Sequence, residues 1–410
     1  MRRPDAVVTG VGVTSAIGQG QQAFLAALLA GHHRFGVMQR PGRQRGGERA
    51  TTFLGAEIAA LAMPADVPAR LLRTASFSAQ VALATLHEAW ADAALAELPP
   101  QRIGLVVGGS NVQQRELVLV HEAFAGRESF LRPTYGLSFM DSDLCGLCTS
   151  VFGIRGLAHT VGGASASGQL AVIEAVQAVA SGRVDACIAL GALMDLSHWE
   201  CQGLRSLGAM GSDRYAGDAA AACRPFDQGR DGFIFGEACG VVVVESAVSA
   251  QLRGRRPHAR IAGCGLAMDA NRNPDPSVDG EVAAIAQALA QAGLAARDID
   301  YLNPHGTGSG IGDVTELESI RRSGLAHVRL NATKALTGHG LSAAGAMELV
   351  AVLLQMKAGQ LHPTRNLDAP MAPELAWVGP AAEPHAMRNA LNLSMGFGGI
   401  NTAVCLQALA

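Results

Sequence analysis

The chain has 410 residues, of which 49% are hydrophobic and 16% are charged, so it is long enough for about two or three domain-sized units and too apolar to be disordered. Its 32 Lys and Arg residues nearly balance 35 Asp and Glu residues and form no long basic stripe, which argues against binding to nucleic acid. No apolar run approaches the length of a membrane span, and eight cysteines lie mostly in apolar segments, so we expect a soluble protein of the reducing cytoplasm.

Short strand-like runs alternate with helix-length apolar segments along the chain. The predicted strands cover residues 6–9, 102–107, 186–190, 241–245, 260–262 and 299–302. This alternation is typical of the α/β class with largely buried sheets. Residues 40–49 are rich in glycine and arginine, and we expect them to form a solvated surface loop.

Two local patterns point to ordinary structure more than to ligand binding. After the first strand, Gly10 and Gly12 begin a dinucleotide-type pattern, but Ser15 stands where its third glycine belongs, so a tight turn is the better interpretation. Cys145 and Cys148 have no second cysteine pair nearby, so two small buried helix residues are a better interpretation than a zinc site. We therefore expect no bound metal.

An internal repeat divides the chain into two related halves. Residues 163–182 and 340–359 align without a gap at an offset of 177, and both segments are apolar nearly all round, which predicts two buried helices. The first turn of a buried helix presents free N–H groups and a positive dipole end inside the protein, where developing negative charge can be held. The glycine pair near residue 10 is also repeated, at Gly263 and Gly265.

Several residues that are candidates for catalysis lie close to these repeats. Ser165 nearly completes a nucleophile elbow, although Ser167 replaces the last glycine of that motif, so a nucleophile and a helix cap both remain open. His305 and His339 each follow a strand-like segment and lead into a glycine-rich helix start, and Lys334 precedes His339 by five positions. Together with a glycine-flanked Phe397, these residues favour one converging active site.

The sequence resembles the β-ketoacyl-acyl-carrier-protein synthases across essentially its whole length. The matching motifs are HGT followed by GD at 305–313, Lys-x-x-x-Gly-His followed by AAGAxE at 334–348, RPFDxxRDGF at 224–233 and GFGG at 396–399. The resemblance implies a thiolase fold of five αβαβα layers, with residues 1–248 forming the half that carries Ser165 and residues 249–410 the half that carries both histidines. It also implies a homodimer, and a substrate held on the phosphopantetheine of an acyl carrier protein without any further cofactor.

The chain departs from this family at its nucleophile. Ser165 stands where the family has a reactive cysteine, and Met395 replaces the first of two gate phenylalanines while Phe397 keeps the second. By resemblance, the other site residues have the following roles: His305 and His339 are donors to the thioester carbonyl, Lys334 bonds to His305, Ser165 and Phe397 contribute N–H groups to a second oxyanion hole, and Thr307 and Glu348 bind substrate.

A serine hydroxyl needs a strong neighbouring base, whereas a cysteine has a pKa near 8.5 that a helix N-terminus readily lowers. Acyl loading should therefore be lost or slowed, while decarboxylation, which needs no thiol, is retained. The pattern resembles the serine-bearing malonyl-carrier-protein decarboxylases of polyketide β-branching, which supply acetyl units to an HMG-synthase-like partner. Because carrier proteins are acidic, Arg70, Arg73 and Arg205 are expected to dock one.

Three alternatives remain open on the sequence alone. Ser165 could be the nucleophile of an acyltransferase or hydrolase that acts on carrier-bound thioesters. The chain could be a noncatalytic partner subunit similar to a chain-length factor, although such subunits commonly have degraded histidines and this sequence keeps both. It could also be a condensing enzyme that tolerates serine.

Overall fold

The computed structural model describes residues 6–409, which form an α/β structure. All six predicted strands are confirmed. The strands in the described residues are β1 (Ala6–Ser15), β2 (Gly18–Gln19), β3 (Phe35–Val37), β4 (Leu54–Ala56), β5 (Ile103–Gly108), β6 (Ala158–Val161), β7 (Ala186–Gly191), β8 (Phe235–Gly236), β9 (Ala238–Ser246), β10 (Ala259–Met268), β11 (Tyr301–Asn303), β12 (Arg329–Leu330), β13 (Gln360–Leu361), β14 (Glu383–Pro384), β15 (Asn389–Gly396) and β16 (Ile400–Gln407).

Both predicted buried helices are present, and each begins with a short 3-10 turn. The helices in the described part of the chain are α1 (Gln21–Leu29), α2 (Ala69–Leu72), α3 (Phe77–Asp92), α4 (Gln114–Phe124), α5 (Tyr135–Ser138), α6 (Ser142–Phe152), α7 (Ser167–Ala180), α8 (His198–Ser206), α9 (Ala219–Ala222), α10 (Ala247–Leu252), α11 (Val278–Ala292), α12 (Gly312–Arg322), α13 (Lys334–Thr337) and α14 (Ala344–Ala358). Cys145 and Cys148 are buried on α6, as the helix interpretation expected.

The sheet order repeats between the two halves. The main sheet runs β12-β11-β15-β16-β10-β1-β9-β7-β5-β6, with β2 added beside β1. If the five strands of each half are numbered in chain order and read outward from the centre of the sheet, both halves have the order 1-5-4-2-3. The halves meet where β1 pairs with β10 in antiparallel register. Two small sheets, β3-β4-β8 and β13-β14, lie apart from it. This common order confirms the two related halves.

The predicted boundary between the halves, after residue 248, falls within α10 and stays a prediction. Residues 1–5 and 410 of the two predicted ranges lie outside the described residues.

The two repeated helices form the middle layer. Helices α7 and α14 pack against each other and against strands of both halves, while α3 covers the outer face of β1 and β9 and α11 covers that of β10 and β16. The layers are therefore helix, sheet, helix, sheet and helix, as the resemblance implied. Burial of α7 and α14 places the starts of both helices inside the protein.

The expectation that no apolar segment approaches the length of a membrane span is wrong, because one helix of this middle layer reaches it. Residues Leu341–Ala358 form an 18-residue helical stretch with a mean hydropathy of 1.4, which is long and apolar enough to cross a bilayer. In this fold, 83% of the stretch is buried inside the protein. A core helix that is surrounded by other elements has the same composition as a membrane span.

The predicted turn at Gly10 and Gly12 is also wrong, because both residues lie within β1. A Cβ atom on Gly12 would lie 2.2 Å from the Thr85 carbonyl oxygen of α3, and one on Gly265 in β10 would lie 1.9 Å from the Ala284 carbonyl oxygen of α11. The repeated glycines therefore allow an outer helix to approach the first strand of each half.

Residues 40–49 do not form the purely solvated loop that their composition suggested. Arg43 is fully buried, and its Nη2 lies 2.8 Å from Asp195 Oδ1 and 2.7 Å from Glu237 Oε1. Arg40 donates to both oxygens of Glu237, and Arg115 pairs with Asp195. The loop therefore contributes to a buried ion cluster that connects distant parts of the first half.

Candidate active site

Ser165 lies on the 3-10 turn Ala164–Ala166 that leads into α7. The turn begins with a strained residue, since Ala164 has a φ of +47°, and its repeat partner Leu341 has a φ of +50° before α14. The helix-cap interpretation of Ser165 is wrong, because neither the 3-10 turn that contains it nor α7, which follows, has a side-chain cap. Instead, Ser165 Oγ lies 2.9 Å from Nε2 of His339, which belongs to the other half of the chain.

The backbone of His339 is hydrogen-bonded to the extended segment 234–236, which includes β8. Its N–H donates to the Ile234 carbonyl at 2.7 Å, and its carbonyl accepts from Gly236 N–H at 3.1 Å. The Phe233 ring meets the imidazole edge-on with 5.1 Å between ring centroids. These contacts leave Nε2 of the imidazole directed toward Ser165.

His305 approaches the same point from the turn after β11. Its backbone N–H donates to Glu316 Oε1 at 2.5 Å, and the following Gly306 N–H donates to Glu316 Oε2 at 2.7 Å. The His305 and His339 rings are nearly perpendicular, at 84°, with centroids 5.4 Å apart. The α12 carboxylate of Glu316 therefore fixes the turn that brings the two imidazoles together.

Lys334 supports His305 from behind, as the resemblance implied. Its Nζ donates to the His305 carbonyl, lies 3.5 Å from His305 Nδ1 and lies 2.6 Å from Glu348 Oε1. The predicted substrate-binding role of Glu348 needs correction, because this residue is fully buried on α14 and does not line the cavity described below. Its contact is with Lys334, so it positions the lysine instead.

Burial and nearby charge keep both imidazoles neutral. Burial, then the Lys334 charge and His339, hold the pKa of His305 well below its usual range, and burial followed by Lys334 does the same for His339. Burial also raises the pKa of Glu348 to about 7 against the opposing effect of Lys334. A neutral imidazole carries one N–H, and the partners of the ring decide which nitrogen holds it.

Those partners favour an N–H on Nε2 of each ring. At His305, the Lys334 ammonium is a donor facing Nδ1, so Nδ1 is the acceptor. At His339, Nδ1 is buried without a hydrogen-bond partner among residues 6–409, and buried N–H groups are seldom left without an acceptor. Both histidines therefore present an N–H donor at Nε2, and that of His339 points at Ser165 Oγ.

A cavity of about 310 Å³ opens onto this arrangement. Ser165, His305, His339, Thr307, Met395 and Phe397 all line it. Met395 is buried whereas Phe397 is 41% exposed, and Thr307 Oγ1 lies 3.0 Å from Ser309 Oγ. The structure thus brings together six of the predicted site residues, drawn from both halves of the chain. In the described part of the chain, no three His, Cys, Asp or Glu residues form a cluster that could hold a metal ion.

The three arginines predicted to dock a carrier protein lie outside this cavity lining. Arg70 and Arg73 are exposed at α2. Arg205 is on α8, and Leu204 of this helix and Leu207 directly after it line the cavity, but the Arg205 guanidinium pairs with Asp213 at 2.7 Å and lies over the Phe53 ring. The Arg205 charge is therefore partly offset by Asp213 within the chain, and its role in docking stays a prediction.

Two important residues were not singled out from the sequence. Phe233 is the last residue of the RPFDxxRDGF motif, and Glu316 lies three residues after the Asp that ends the 305–313 motif. Both motifs were visible, but which of their side chains reach the histidines depends on the packing of separate elements.

Comparisons with known proteins agree with this geometry. Residues 4–250 match the β-ketoacyl synthase N-terminal domain, and residues 258–368 match its C-terminal domain. The chain is 58% identical to the polyketide biosynthesis malonyl-ACP decarboxylase PksF of Bacillus subtilis (strain 168), over 98% of this chain and 96% of that protein.

Two solved structures align with this chain over the full length of both partners. One is a β-ketoacyl synthase from Burkholderia phymatum STM815, with a TM-score of 0.88 and 27% identity. The other is a type II polyketide synthase acyl-carrier protein in complex with its ketosynthase, with a TM-score of 0.86 and 25% identity. Two matched domain models and a relative of 58% identity across nearly the whole chain show that this protein belongs to the β-ketoacyl synthase family.

Proposed function

We propose that this protein removes CO₂ from malonyl-loaded acyl carrier protein and leaves acetyl-loaded carrier. One observation carries the proposal: two neutral histidines are aimed into one cavity, where a hydroxyl stands in place of the family's thiol. The name of the 58% identical relative, a malonyl-ACP decarboxylase, supports the same activity.

The two histidines act on the thioester carbonyl. When the bond between the carboxylate and Cα breaks, CO₂ leaves and the electron pair moves onto the carbonyl oxygen, which forms an enolate. The Nε2–H groups of His305 and His339 then stabilise this oxygen, and each such donor contributes about 10²- to 10³-fold in rate. Lys334 keeps Nδ1 of His305 an acceptor, so that its N–H faces the substrate.

The acyltransferase alternative has less support from the geometry. A serine nucleophile needs a base that accepts its proton and a third group that orients this base. In the described residues 6–409, His339 Nδ1 has no such partner, and the tautomer that this favours donates to Ser165 instead of accepting from it. Ser165 therefore lacks the activation that a covalent mechanism requires.

The remaining alternatives also fit the site less well. A noncatalytic subunit has no need of two facing histidines, one of which, His305, is held in place by Lys334 and Glu316. A condensing enzyme needs an acylated nucleophile, which this serine is poorly equipped to become.

The proposed partner is an acyl carrier protein that brings the substrate on its phosphopantetheine, past Thr307, with no further cofactor or metal. We propose that the exposed residues Arg70 and Arg73 contribute to its docking, since carrier proteins are acidic. The homodimer, the cytoplasmic location, the lack of nucleic-acid partners and the role in β-branching stay predictions.

The activity is tested by incubating the protein with malonyl-loaded carrier and weighing both proteins by intact mass spectrometry. We expect the carrier to lose the mass of one CO₂ while the enzyme stays unmodified. An inert mixture would favour the noncatalytic subunit. An enzyme adduct that disappears in Ser165→Ala would establish the acyltransferase.

Restoring the thiol gives a second test of the same site. Ser165→Cys should become acylated by an acyl-loaded carrier, because a thiolate forms far more readily than an alkoxide. If this variant does not acylate, the pocket beside Met395 has diverged by more than its nucleophile.

Docking is tested with Arg70→Glu/Arg73→Glu. The apparent KM for malonyl-carrier should rise several-fold, while that for malonyl-pantetheine stays unchanged, since the small substrate does not use the surface. Arg256→Glu/Arg297→Glu, which reverses two other exposed arginines, is the matched control. Equal effects of both double variants would exclude a docking role for α2.

A further inference from the structure

We infer that Ser165 is the proton donor that converts the enolate into the acetyl product. The inference rests on the proposed decarboxylation and adds a step that condensation does not need. In a condensing enzyme, the enolate carbon attacks an acyl group on the nucleophile. Here no acyl group is present, so the same carbon has to receive a proton.

The position of Ser165 suits this step. Its Oγ lies 2.9 Å from His339 Nε2, which is the atom that would hold the enolate oxygen. A thioester oxygen that accepts from the same N–H lies at hydrogen-bond distance from Nε2 and is therefore a close neighbour of Oγ. The enolate carbon is two bonds from that oxygen, which brings it beside the Ser165 hydroxyl.

The hydroxyl proton is free to be donated. Because Nε2–H of His339 donates to Oγ, the serine oxygen is the acceptor in that bond and its own O–H points elsewhere. Ser165 Oγ makes no second hydrogen bond to protein within residues 6–409, and the residue lines the cavity. Its O–H is thus directed into the space that the substrate occupies.

Other groups that line the cavity are less suited to this role. The Thr307 hydroxyl donates to Ser309 Oγ at 3.0 Å. Asp269 accepts from the Asn401 amide at 2.7 Å. The two histidine N–H groups donate to the enolate oxygen, which shares the His339 N–H with Ser165 Oγ in a three-centre hydrogen bond. Ser165 is therefore the hydroxyl beside the histidine pair that has a proton to give.

The step balances with water as the co-reactant. Cleavage of the bond to the carboxylate releases CO₂ and leaves the electron pair in the enolate. The enolate carbon then takes the proton of Ser165 O–H, a C–H bond forms, and water in the cavity returns a proton to Oγ. The sum is malonyl thioester carboxylate plus one water, giving acetyl thioester, CO₂ and hydroxide.

The test follows the fate of the enolate in the presence of dissolved ¹³CO₂. Fast protonation commits the enolate to acetyl, whereas an enolate that waits for solvent can recapture CO₂ and return to malonyl. In Ser165→Ala we expect at least about tenfold more ¹³C in the remaining malonyl-carrier than in the wild type, since a positioned acid accelerates proton transfer by about 10²- to 10⁴-fold. The label is measured by intact mass spectrometry.

Two variants serve as controls. Ser165→Thr keeps a hydroxyl and should retain little label, like the wild type. Ser309→Ala removes a cavity hydroxyl that does not contact His339 and should also behave like the wild type. Equal labelling in Ser165→Ala and Ser309→Ala would overturn the inference.

The outcomes separate this inference from the proposed function. If the wild type produces no acetyl-carrier, the decarboxylase proposal fails. If the wild type is active and Ser165→Ala produces acetyl-carrier at the same rate without extra label, only the proton-donor role fails. Loss of both acetyl formation and label in Ser165→Ala would assign Ser165 to stabilising the enolate, which also overturns its role as proton donor.

Discussion

Replacing Arg43 by methionine tests the buried ion cluster that residues 40–49 contribute to the fold. Arg43 is fully buried, and its Nη2 contacts one oxygen each of Asp195 and Glu237, at 2.8 and 2.7 Å. Methionine would fill part of the space but supply neither bond. Arg115 and Arg40 would remain as the other partners of the two carboxylates.

The expected loss of stability can be worked from these contacts. A hydrogen bond to a charged group contributes about 1.5–3 kcal/mol, so two of them amount to about 3–6 kcal/mol, which is consistent with about 3–5 kcal/mol for breaking a buried ion pair. Unfolding entropy is about 2.1 cal/mol/K per residue, or roughly 0.9 kcal/mol/K over 410 residues. A loss of about 4 kcal/mol should therefore lower Tm by roughly 5 °C.

The assay is differential scanning calorimetry of Arg43→Met beside Arg45→Met. Arg45 lies in the same segment but is exposed, and its substitution should change stability by less than about 0.5 kcal/mol. If both variants melt together with the wild type, the segment is the solvated loop that its composition suggested, and the argument from the buried cluster is refuted.

His305→Ala and His339→Ala should each slow decarboxylation at least about tenfold with unchanged circular dichroism, because each removes one donor to the enolate oxygen; normal turnover in both would refute their roles. Burial raises the pKa of Glu348 from 4.5 to about 7, so its carboxyl group loses its proton at lower pH in the unfolded chain than in the folded one. The wild type should therefore lose stability relative to Glu348→Gln as pH rises from about 4.5 to about 7. The loss should be at most about 1.4 kcal/mol per pH unit. A difference in unfolding free energy between the two proteins that stays constant across that pH range, measured by urea unfolding, would contradict this. Gly12→Ala should cost at least about 2 kcal/mol in the same assay, since its Cβ would lie 2.2 Å from a backbone oxygen, while Gly36→Ala, with open space around it, should cost less than about 0.5 kcal/mol.

Much of the fold could be predicted because its signals are local. Apolar runs of strand and helix length follow from side-chain periodicity within one element, and the repeat at an offset of 177 residues identified the two buried helices. The glycines of β1 and β10 were found because the pair at Gly10 and Gly12 recurs at Gly263 and Gly265, but their role was not. A glycine that allows close helix packing and one that makes a turn look alike until the neighbouring helix is in place.

The candidate site was predictable where chemistry is concentrated in short motifs. Ser165, His305, His339 and Lys334 each belong to a segment with a characteristic pattern, and all four meet in the structure. The replacement of the family's cysteine by a serine could be identified from position 165 alone.

The sequence by itself therefore determined the α/β class, the two related halves and the residues that carry the chemistry. Only the tertiary structure decided which charges are paired. It placed Arg43 in the interior, joined Glu348 to Lys334 and gave Arg205 an internal partner. The physical reason is that the cost of burying a charge, and the partner that offsets it, depend on groups such as Arg43 and Glu237 that are 194 positions apart in the chain. Composition and spacing describe each group alone, whereas its protonation, its tautomer and its access to substrate are set by what the fold packs against it.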